Sequence, residues 1–339
     1  MALSKTLLYP PRIPLAQTPT PLQPLIRAAE RWTPGKRLWI KRDDMTGSLL
    51  TGNKVRKLEF IAAHALDTDV DVLITCGGLQ SNHCRATAVV AAQLGLRCHL
   101  VLRGTPPSDE GNTLLDRLVG AAITPVAPED YRKNLRALLE ATAEEYRCAG
   151  LKPLVIPTGG SDGLGAWGYI AGVEELAADF AQQGLVNPLL VTATGSGGTQ
   201  AGLIAGSALH DLDVRIVGMA VCDDADYFSR KVSKDIAELQ QRFPDLPEFA
   251  FSVETIDRYV GEGYGIASEE VYRLIAELGA LEGVVLDPVY AAKAFLGLIT
   301  EVASGSFDDH SDIVFLHTGG VFGVFPHAEK LSSAHNGWS

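Results

Sequence analysis

The sequence predicts an α/β protein built on parallel β-sheets that are buried on both faces. Short runs of continuous apolar residues alternate along the chain with segments in which apolar residues recur at the helical period. Strands that are apolar on both faces are typical of parallel sheets covered by helices. Of the 339 residues, 46% are hydrophobic and 21% are charged, so the chain can form a substantial core.

The predicted elements alternate through the whole chain. Strands are predicted at residues 38–42, 71–75, 98–102, 123–126, 154–156, 189–194, 214–220 and 313–317. Helices are predicted at residues 54–66, 81–94, 111–119, 129–148, 163–183, 199–209, 226–242, 266–278 and 289–302. Because no internal repeat or low-complexity linker separates two halves, we expect two domains that interleave along the chain.

Composition excludes several classes of protein. A net charge of −12 leaves no basic stripe for nucleic acid. Five widely spaced cysteines indicate neither a disulfide framework nor a zinc site, and scattered histidines indicate no metal, so we expect a reducing cytoplasm. Six prolines in residues 1–25 break any signal-peptide core, and no apolar run reaches membrane-spanning length. That segment is predicted to be an extended arm.

Lys54 lies where a glycine-containing turn becomes a predicted helix. A helix N-terminus carries partial positive charge, which disfavours a protonated amine, more so if the amine is buried. A neutral amine is the form that makes a Schiff base with a carbonyl compound. The alternative is a solvated surface lysine, one of 29 lysines and arginines in the chain.

A glycine-rich loop joins the strand at 189–194 to the next helix. It comprises Gly195, Ser196, Gly197, Gly198 and Thr199. Converging backbone N–H groups, two hydroxyls and a helix N-terminus together suit a phosphate. The loop lacks the dinucleotide fingerprint because Gln200 replaces the third glycine, and it lacks the lysine of a P-loop. The alternative is a simple connecting turn.

Polar residues begin the helix predicted at 81–94. Gln80, Ser81, Asn82 and His83 follow a glycine pair there. Ser81 has the identity of an ordinary N-cap, whereas the whole group would also suit a substrate carboxylate, and Asn82 could bind a phenolic oxygen.

Two tyrosines and a threonine occupy other junctions between elements. Tyr264 and Tyr290 each stand where a loop leads into a helix, and they could pack only, stack on a ring or move a proton. Thr318 follows the last strand, where open α/β sheets bind ligands, and could face a ring nitrogen or simply form a turn.

Six stretches together resemble one enzyme family. They are Gly-Asn-Lys-Val-Arg-Lys-Leu-Glu-Phe (52–60), Gln-Ser-Asn-His-Cys-Arg-Ala-Thr-Ala (80–88), Gly-Ser-Gly-Gly-Thr (195–199), Val-Cys-Asp-Asp-Ala-Asp-Tyr-Phe (221–228), Leu-Asp-Pro-Val-Tyr (286–290) and His-Thr-Gly-Gly (317–320). In content and order the sequence resembles the fold-type II (tryptophan synthase β-like) pyridoxal phosphate enzymes. Within them it is similar to the branch of D-cysteine desulfhydrase and 1-aminocyclopropane-1-carboxylate deaminase.

The resemblance implies a fold and a cofactor site. We expect two parallel-sheet α/β domains, a large one of residues 1–53 plus 162–339 and a small one of residues 54–161, with pyridoxal 5′-phosphate in the cleft between them. The family is usually dimeric, so a homodimer is expected. The implied cofactor contacts are a Schiff base with Lys54, a hydrogen bond from Asn82 to the 3′ oxygen, the loop from Gly195 to Thr199 on the phosphate, and Thr318 at the pyridine nitrogen.

The resemblance also implies how a small amino-acid substrate is held. Ser81, Asn82 and His83 would hold its carboxylate, and Tyr264 and Tyr290 match the active-site tyrosines of the family. Lys54 would remove the α-proton, directly or through Ser81.

Two departures from the family pattern bear on the choice of reaction. The deaminases have a glutamate after the second tyrosine that pairs with the pyridine nitrogen, and this chain has Ala291. A neutral Thr318 in its place would weaken the electron sink, which suits β-elimination from a good leaving group better than ring opening. Thr51 replaces a frequent glycine, but Gly52 remains.

The sequence therefore predicts β-elimination on D-cysteine, giving pyruvate, hydrogen sulfide and ammonia. The preference for D over L rests on the resemblance alone. The alternatives are a deaminase of 1-aminocyclopropane-1-carboxylate and a lyase for cysteate or another β-substituted alanine. From other classes, a non-catalytic pyridoxal phosphate carrier or amino-acid sensor and a nucleotide-binding regulatory protein also remain.

Overall fold

A computed structural model describes residues 7–104 and 109–335. In this part of the chain the strands form a six-stranded and a four-stranded sheet, and helices pack against both. The observed architecture confirms the predicted α/β fold with parallel sheets.

The larger sheet has the strand order β1-β2-β10-β7-β8-β9. All its neighbours pair in parallel except β1 with β2, which pair antiparallel. The strands are β1 (Leu22–Pro24), β2 (Arg37–Lys41), β7 (Leu189–Thr194), β8 (Arg215–Ala220), β9 (Glu254–Ile256) and β10 (Asp312–Leu316). Helices of the same part of the chain are α1 (Ile26–Trp32), α6 (Trp167–Gln183), α7 (Gly198–Leu209), α8 (Ala225–Arg242), α9 (Glu269–Glu282), α10 (Ala291–Ala303) and α11 (Ala328–His335).

The smaller sheet is wholly parallel, in the order β5-β4-β3-β6. Its strands are β3 (Val72–Gly78), β4 (Arg97–Arg103), β5 (Ala122–Val126) and β6 (Pro153–Val155). Between and beside them run α2 (Lys54–Asp67), α3 (Asn82–Leu94), α4 (Gly111–Leu118) and α5 (Pro128–Cys148). Strands of the larger sheet lie on both sides of this segment in sequence. The division into domains of residues 1–53 plus 162–339 and 54–161 stays a prediction.

A buried charged network fixes the start of α2. Arg56, only 3% exposed, donates to Asp43 at 2.8 Å and to Glu175 of α6 at 2.7 Å. The hydroxyl of Tyr169, also on α6, donates to Asp43 at 2.6 Å. Such a hydrogen-bonded network would be strongly destabilised by loss of one partner, because a buried charge would remain uncompensated. The network therefore holds the helix that begins with Lys54 against the larger sheet.

The turn before Lys54 packs tightly against the end of β10. Gly52 has φ +107°, and a Cβ there would lie 2.7 Å from the carbonyl oxygen of Thr318. The same carbonyl accepts the Asn53 N–H at 3.1 Å. Both the positive φ and the close approach require glycine, so the presence of Thr51 one residue earlier leaves this turn intact.

Four elements and several boundaries differ from the predictions. The strands β1 and β9 have three residues each, and α1 and α11 are short, so none of them gives a clear period. β1 lies in the segment 1–25, where only an extended arm was predicted, and α1 follows directly after it; residues 1–6 of that arm lie outside the described residues. Helix α6 begins at Trp167 instead of 163, and α9 begins at Glu269 instead of 266 because Ser268 caps it.

None of the described helices combines the length and the apolar composition that a bilayer crossing requires.

Candidate active site

A cavity of about 330 Å³ lies at the carboxyl ends of strands from both sheets. The sequence-predicted residues that line it are Lys54, Ser81, Asn82, His83, Gly195, Ser196, Gly197, Thr199, Tyr264, Tyr290 and Thr318. Gly198 is the exception, since it is buried as the first residue of α7. The structure thus brings together residues that span most of the chain, and their individual roles stay predictions.

Lys54 is the first residue of α2 and points into the cavity. Burial by the surrounding protein lowers the pKa of its amine to about 8. A Cβ added at Gly159 would lie 3.4 Å from Lys54 Nζ and 2.3 Å from Ser196 Oγ. The amine therefore lies close to the glycine-rich loop, and a sizeable neutral fraction exists at mildly alkaline pH.

The glycine-rich loop is linked to a second loop through Ser161. Ser161 Oγ donates to Ser196 Oγ at 2.9 Å and accepts the Gly198 N–H at 3.2 Å. Gly197 has φ +83°, a conformation that favours glycine. The backbone N–H groups at the start of α7 and the two serine hydroxyls form a cradle suited to an anion.

Two further lysine amines lie beside this cradle. Lys57, only 1% exposed, donates from Nζ to the carbonyl of Gly159 at 3.2 Å and to Ser161 Oγ at 3.3 Å. Burial, reinforced by the charge of Lys54, holds the pKa of the Lys57 amine well below its usual value. Lys231 donates to the Ser161 carbonyl at 3.1 Å. Lys231 is also ion-paired with Asp235, at 2.6 Å, so the two lysines offer the outer side of Ser161 N–H donors more than free charge.

Sequence reasoning missed Ser161 and Lys57 as part of this cradle. Gly159, Gly160 and Ser161 come shortly after β6, and a glycine pair close behind a strand was the signal that could have identified them. Lys57 gave no such signal, because in sequence it resembles any helical lysine.

The start of α3 presents Ser81 and Asn82 to the cavity. Ser81 is the N-cap, accepting the Cys84 N–H on its Oγ at 3.2 Å. Asn82 Oδ1 accepts a hydrogen bond from Asn112 Nδ2 at 3.0 Å, which leaves the Asn82 amide NH₂ to face a ligand. A Cβ added at Gly77 would lie 2.5 Å from Ser81 Oγ, so glycine is needed there.

His83 and Gln80 differ in their relation to the cavity. The buried His83 imidazole contacts Thr75 Oγ1 through Nε2 at 2.9 Å, whereas Nδ1 has no hydrogen-bond partner in the described structure. Burial, with the charge of Lys54, lowers the pKa of His83 well below its usual value, so the ring is neutral. Gln80 does not belong to the ligand-facing group, because its side chain instead accepts the Asn112 N–H at the start of α4 at 2.9 Å.

Tyr264 and Tyr290 meet inside the cavity. Their hydroxyl oxygens lie 2.5 Å apart, and their rings meet edge to face at a centroid distance of 5.8 Å. Burial raises the pKa of Tyr264 to about 12 and that of Tyr290 well above its usual value. Both phenols are protonated near neutral pH and are hydrogen-bonded to each other.

The region after Tyr290 contains no ligand-facing carboxylate. Ala291 is fully buried as the first residue of α10, and its N–H donates to Asp287 Oδ1 at 2.9 Å. The Asp287 carboxylate also accepts the N–H groups of Val289 and Tyr290. Asp287 thus caps α10, and its burial raises the pKa of the carboxyl to about 6. Thr318 remains the polar side chain at the end of β10 that lines the cavity.

Several other residues complete the cavity wall. Among those to which the sequence analysis gave no individual role are Arg103, Tyr131 and Thr158, and also Asn53, Cys222, Asp223 and Tyr227, which lie in the family-like stretches 52–60 and 221–228. Arg103 stands directly after a predicted strand, which was a signal for ligand binding in a parallel sheet. In the described part of the chain no group of three or more histidine, cysteine, aspartate or glutamate side chains is arranged to hold a metal.

Comparison with known proteins gives matches over nearly the whole chain. Residues 13–319 match the family model described as "Pyridoxal-phosphate dependent enzyme". An Arabidopsis thaliana protein named bifunctional D-cysteine desulfhydrase/1-aminocyclopropane-1-carboxylate deaminase, mitochondrial, is 39% identical, and the alignment covers 96% of this chain and 82% of that protein.

Solved structures also match nearly the whole chain. A crystal structure described as an ACC deaminase homologue superposes with a TM-score of 0.85 at 37% identity, covering 96% of each chain. A fungal L-serine ammonia-lyase from Rhizomucor miehei superposes with a TM-score of 0.68 at 16% identity, covering 96% of this chain and 99% of that one. At 16% identity, the similarity to the ammonia-lyase shows the fold alone.

Proposed function

This chain belongs to the pyridoxal-phosphate-dependent enzymes, with the fold-type II (tryptophan synthase β-like) architecture, and we propose that it eliminates the thiol group of D-cysteine. One water is consumed, and pyruvate, hydrogen sulfide and ammonia are released. The cofactor is pyridoxal phosphate, and the class of reaction is that of a lyase.

The residues around the cavity fit the cofactor. The glycines of the loop leave room that a side chain would fill: a Cβ at Gly198 would lie 2.5 Å from Ser161 Oγ and 2.8 Å from Lys57 Nζ. Backbone N–H groups, hydroxyls and lysine amines form a donor set of the kind that binds a phosphate dianion. When bound, the cofactor supplies an electron sink for the negative charge that develops at the substrate α-carbon.

Lys54 is the base in this proposal. Its amine has a pKa lowered to about 8 by burial, so it can hold the α-proton and release it again near neutral pH. Ser81 is 4% exposed, lines the same cavity and can relay the proton. When the bond between Cβ and sulfur breaks, its electron pair stays on the sulfur. The unsaturated amine that results hydrolyses in water to pyruvate and ammonia.

The substrate carboxylate would lie at the start of α3. Ser81, Asn82 and the unpartnered His83 Nδ1 offer polar groups there, at a helix N-terminus that favours negative charge. Tyr264 and Tyr290 would take part in proton movement beside the ring, and Thr318 would meet the pyridine nitrogen.

The observation that carries the choice of elimination is the buried Ala291. The N–H of Ala291 and those of the two preceding residues occupy the nearby Asp287 carboxylate, so this carboxylate does not face the cavity. A neutral Thr318 would leave the pyridine nitrogen less protonated. Elimination of a good leaving group tolerates the weaker electron sink better than ring opening does.

We infer two further properties of the protein. A homodimer is expected from the family, and sedimentation velocity would test it. A cytoplasmic location is supported by five free cysteines. Fractionation of cells that express the tagged protein would test the location.

The test of the proposed activity measures sulfide and pyruvate from D-cysteine and, in parallel, from L-cysteine and cysteate. Equal amounts of sulfide and pyruvate from D-cysteine, with none from the Lys54→Ala variant, would support the proposal. A wild-type holoenzyme that releases neither product from D-cysteine would overturn it. The printed name of the Arabidopsis relative also favours a second candidate, deamination of 1-aminocyclopropane-1-carboxylate, which would appear as ammonia and a four-carbon keto acid.

A further inference from the structure

Arg103 brings an uncompensated positive charge to the cavity. It is the last residue of β4 and lies in register with Gly78, the last residue of β3. Within residues 7–104 and 109–335 its guanidinium has no ion-pair partner, although Asp223 lines the same cavity. By contrast, the buried Arg56 and the partly buried Arg42 pair with carboxylates at 2.8 and 2.6 Å. An unpaired guanidinium in a ligand cavity is therefore a candidate for binding an anion.

The first carboxylate that follows Arg103 in the chain, Asp109, pairs with Arg117 at 2.7 Å. Residues 105–108 lie outside the described structure, and their sequence is Thr-Pro-Pro-Ser. The positive charge of Arg103 is thus available to a ligand.

Arg103 lies on the tyrosine side of the cavity. Its guanidinium carbon is 4.7 Å from the ring centroid of Tyr264 and 5.8 Å from that of Tyr131. Tyr264 in turn packs on Gly78, where a Cβ would lie 3.1 Å from Tyr264 Cε1. Stacking of this kind holds a guanidinium plane in position while its N–H edges stay free to bind.

The phosphate cradle has its own amine donors. Lys57 and Lys231 both contact Ser161, next to the glycine-rich loop. The start of α3 offers its N-terminus and Ser81 to a carboxylate. Because the phosphate and the α-carboxylate have these donors, the guanidinium of Arg103 remains for a different part of the ligand.

We propose that Arg103 receives the β-substituent of the substrate and selects amino acids whose β-substituent is an anion or leaves as one. This inference rests on the proposed function, because it assumes an amino acid bound with its α-carbon near Lys54. For a thiol, the electron pair of the broken C–S bond stays on sulfur, and the guanidinium stabilises the departing hydrosulfide ion without giving up a proton. For a sulfinate or sulfonate, two oxygens can meet two guanidinium N–H groups in the bidentate arrangement.

The test compares affinities for ligands that differ only at Cβ. Holoenzyme is titrated with alanine and with cysteate, each as D and L enantiomers, and the change in the visible absorbance of the bound cofactor gives Kd. Variants are Arg103→Met and Arg103→Lys. The matched control is Arg97→Met, at the exposed first position of the same strand.

The expected result is a selective loss. Arg103→Met should weaken cysteate binding by about tenfold to a hundredfold and leave alanine binding within about twofold, because a charge-assisted hydrogen bond to the β-substituent is removed. Arg103→Lys should restore part of the cysteate affinity, and Arg97→Met should change neither ligand. For D-cysteine, kcat/KM should fall in Arg103→Met by a similar factor.

Two results would overturn the inference. An equal loss of affinity for alanine and cysteate in Arg103→Met would mean that Arg103 binds the α-carboxylate. No loss of affinity for either ligand would mean that Arg103 only packs on Tyr264. If Arg103→Met loses the visible band of the cofactor, the same comparison is made with Arg103→Lys. A selective loss of cysteate affinity relative to alanine affinity would then support the inference, and an equal loss or no loss would overturn it. The titration does not require turnover of D-cysteine, so it gives affinities even if the wild-type enzyme releases no sulfide from that substrate.

Discussion

The hydroxyl oxygens of Tyr264 and Tyr290 lie 2.5 Å apart, although the two side chains rest on different sheets. Tyr264 packs on Gly78 at the end of β3, and Tyr290 packs on Gly195 after β7, where a Cβ would lie 3.0 Å from Tyr290 Cε1. The pair thus joins the carboxyl ends of the two sheets across the cavity. Because both phenols stay protonated near neutral pH, one donates to the other, and a proton can pass between them.

Replacing either tyrosine by phenylalanine tests this pair. Tyr264→Phe and Tyr290→Phe keep the ring packing and remove one hydroxyl, so each should lower kcat by about a hundredfold, as expected for loss of a proton-transfer group. The double variant should be little worse than the single ones, because the two hydroxyls act as a unit. Steady-state kinetics with the cofactor band monitored in parallel measures both effects. Unchanged kcat in both single variants would mean that the tyrosines only pack.

The pH dependence of cofactor uptake tests the state of Lys54. The neutral amine is the reactive form, and burial lowers the pKa of Lys54 from its ordinary value of 10.5 to about 8. The rate of covalent uptake by apoenzyme should therefore rise with pH through about 8 and then level off. Stopped-flow absorbance across pH 6 to about 10 measures it, with Lys54→Ala as the control that shows no covalent uptake. A rate that keeps rising up to pH about 10 would indicate a lysine with an ordinary pKa.

Lys57 should act on the cofactor phosphate. Lys57→Met removes an amine that contacts Ser161, and it should weaken pyridoxal phosphate binding to apoenzyme by about tenfold or more. Pyridoxal, which lacks the phosphate, should bind with nearly unchanged affinity. The exposed Lys133→Met on α5 is the matched control. If pyridoxal loses as much affinity as pyridoxal phosphate, Lys57 supports the fold of the site and not the phosphate.

Continuous apolar runs made most of the fold predictable from the sequence. Strand β7 was predicted at 189–194 and found with those bounds, because its residues are buried on both faces. The strands β1 and β9 were not predicted, since three residues are too few to show a period. The start of α6 was displaced because Asp162 Oδ1 accepts the Gly165 N–H at 2.7 Å and forms a turn where a helix was expected.

The site was predictable where its residues are contiguous in sequence. The loop from Gly195 to Thr199 is a single motif and could be recognised directly. Ser161 lies 35 positions from the Ser196 hydroxyl that it binds, and Lys57 reaches it from a third segment, so only the folded chain brings them together. Arg103 differs again, because only the folded chain shows that no carboxylate among the described residues forms an ion pair with it.

The proposed desulfhydrase activity is tested most directly by comparing D-cysteine with 1-aminocyclopropane-1-carboxylate as substrates of one enzyme preparation. We predict that kcat/KM for D-cysteine exceeds that for 1-aminocyclopropane-1-carboxylate by about tenfold or more, since Ala291 leaves the pyridine nitrogen without a carboxylate partner. Sulfide and pyruvate report the first reaction, and the four-carbon keto acid with ammonia reports the second. A larger kcat/KM for 1-aminocyclopropane-1-carboxylate would contradict the proposal and identify the enzyme as a deaminase.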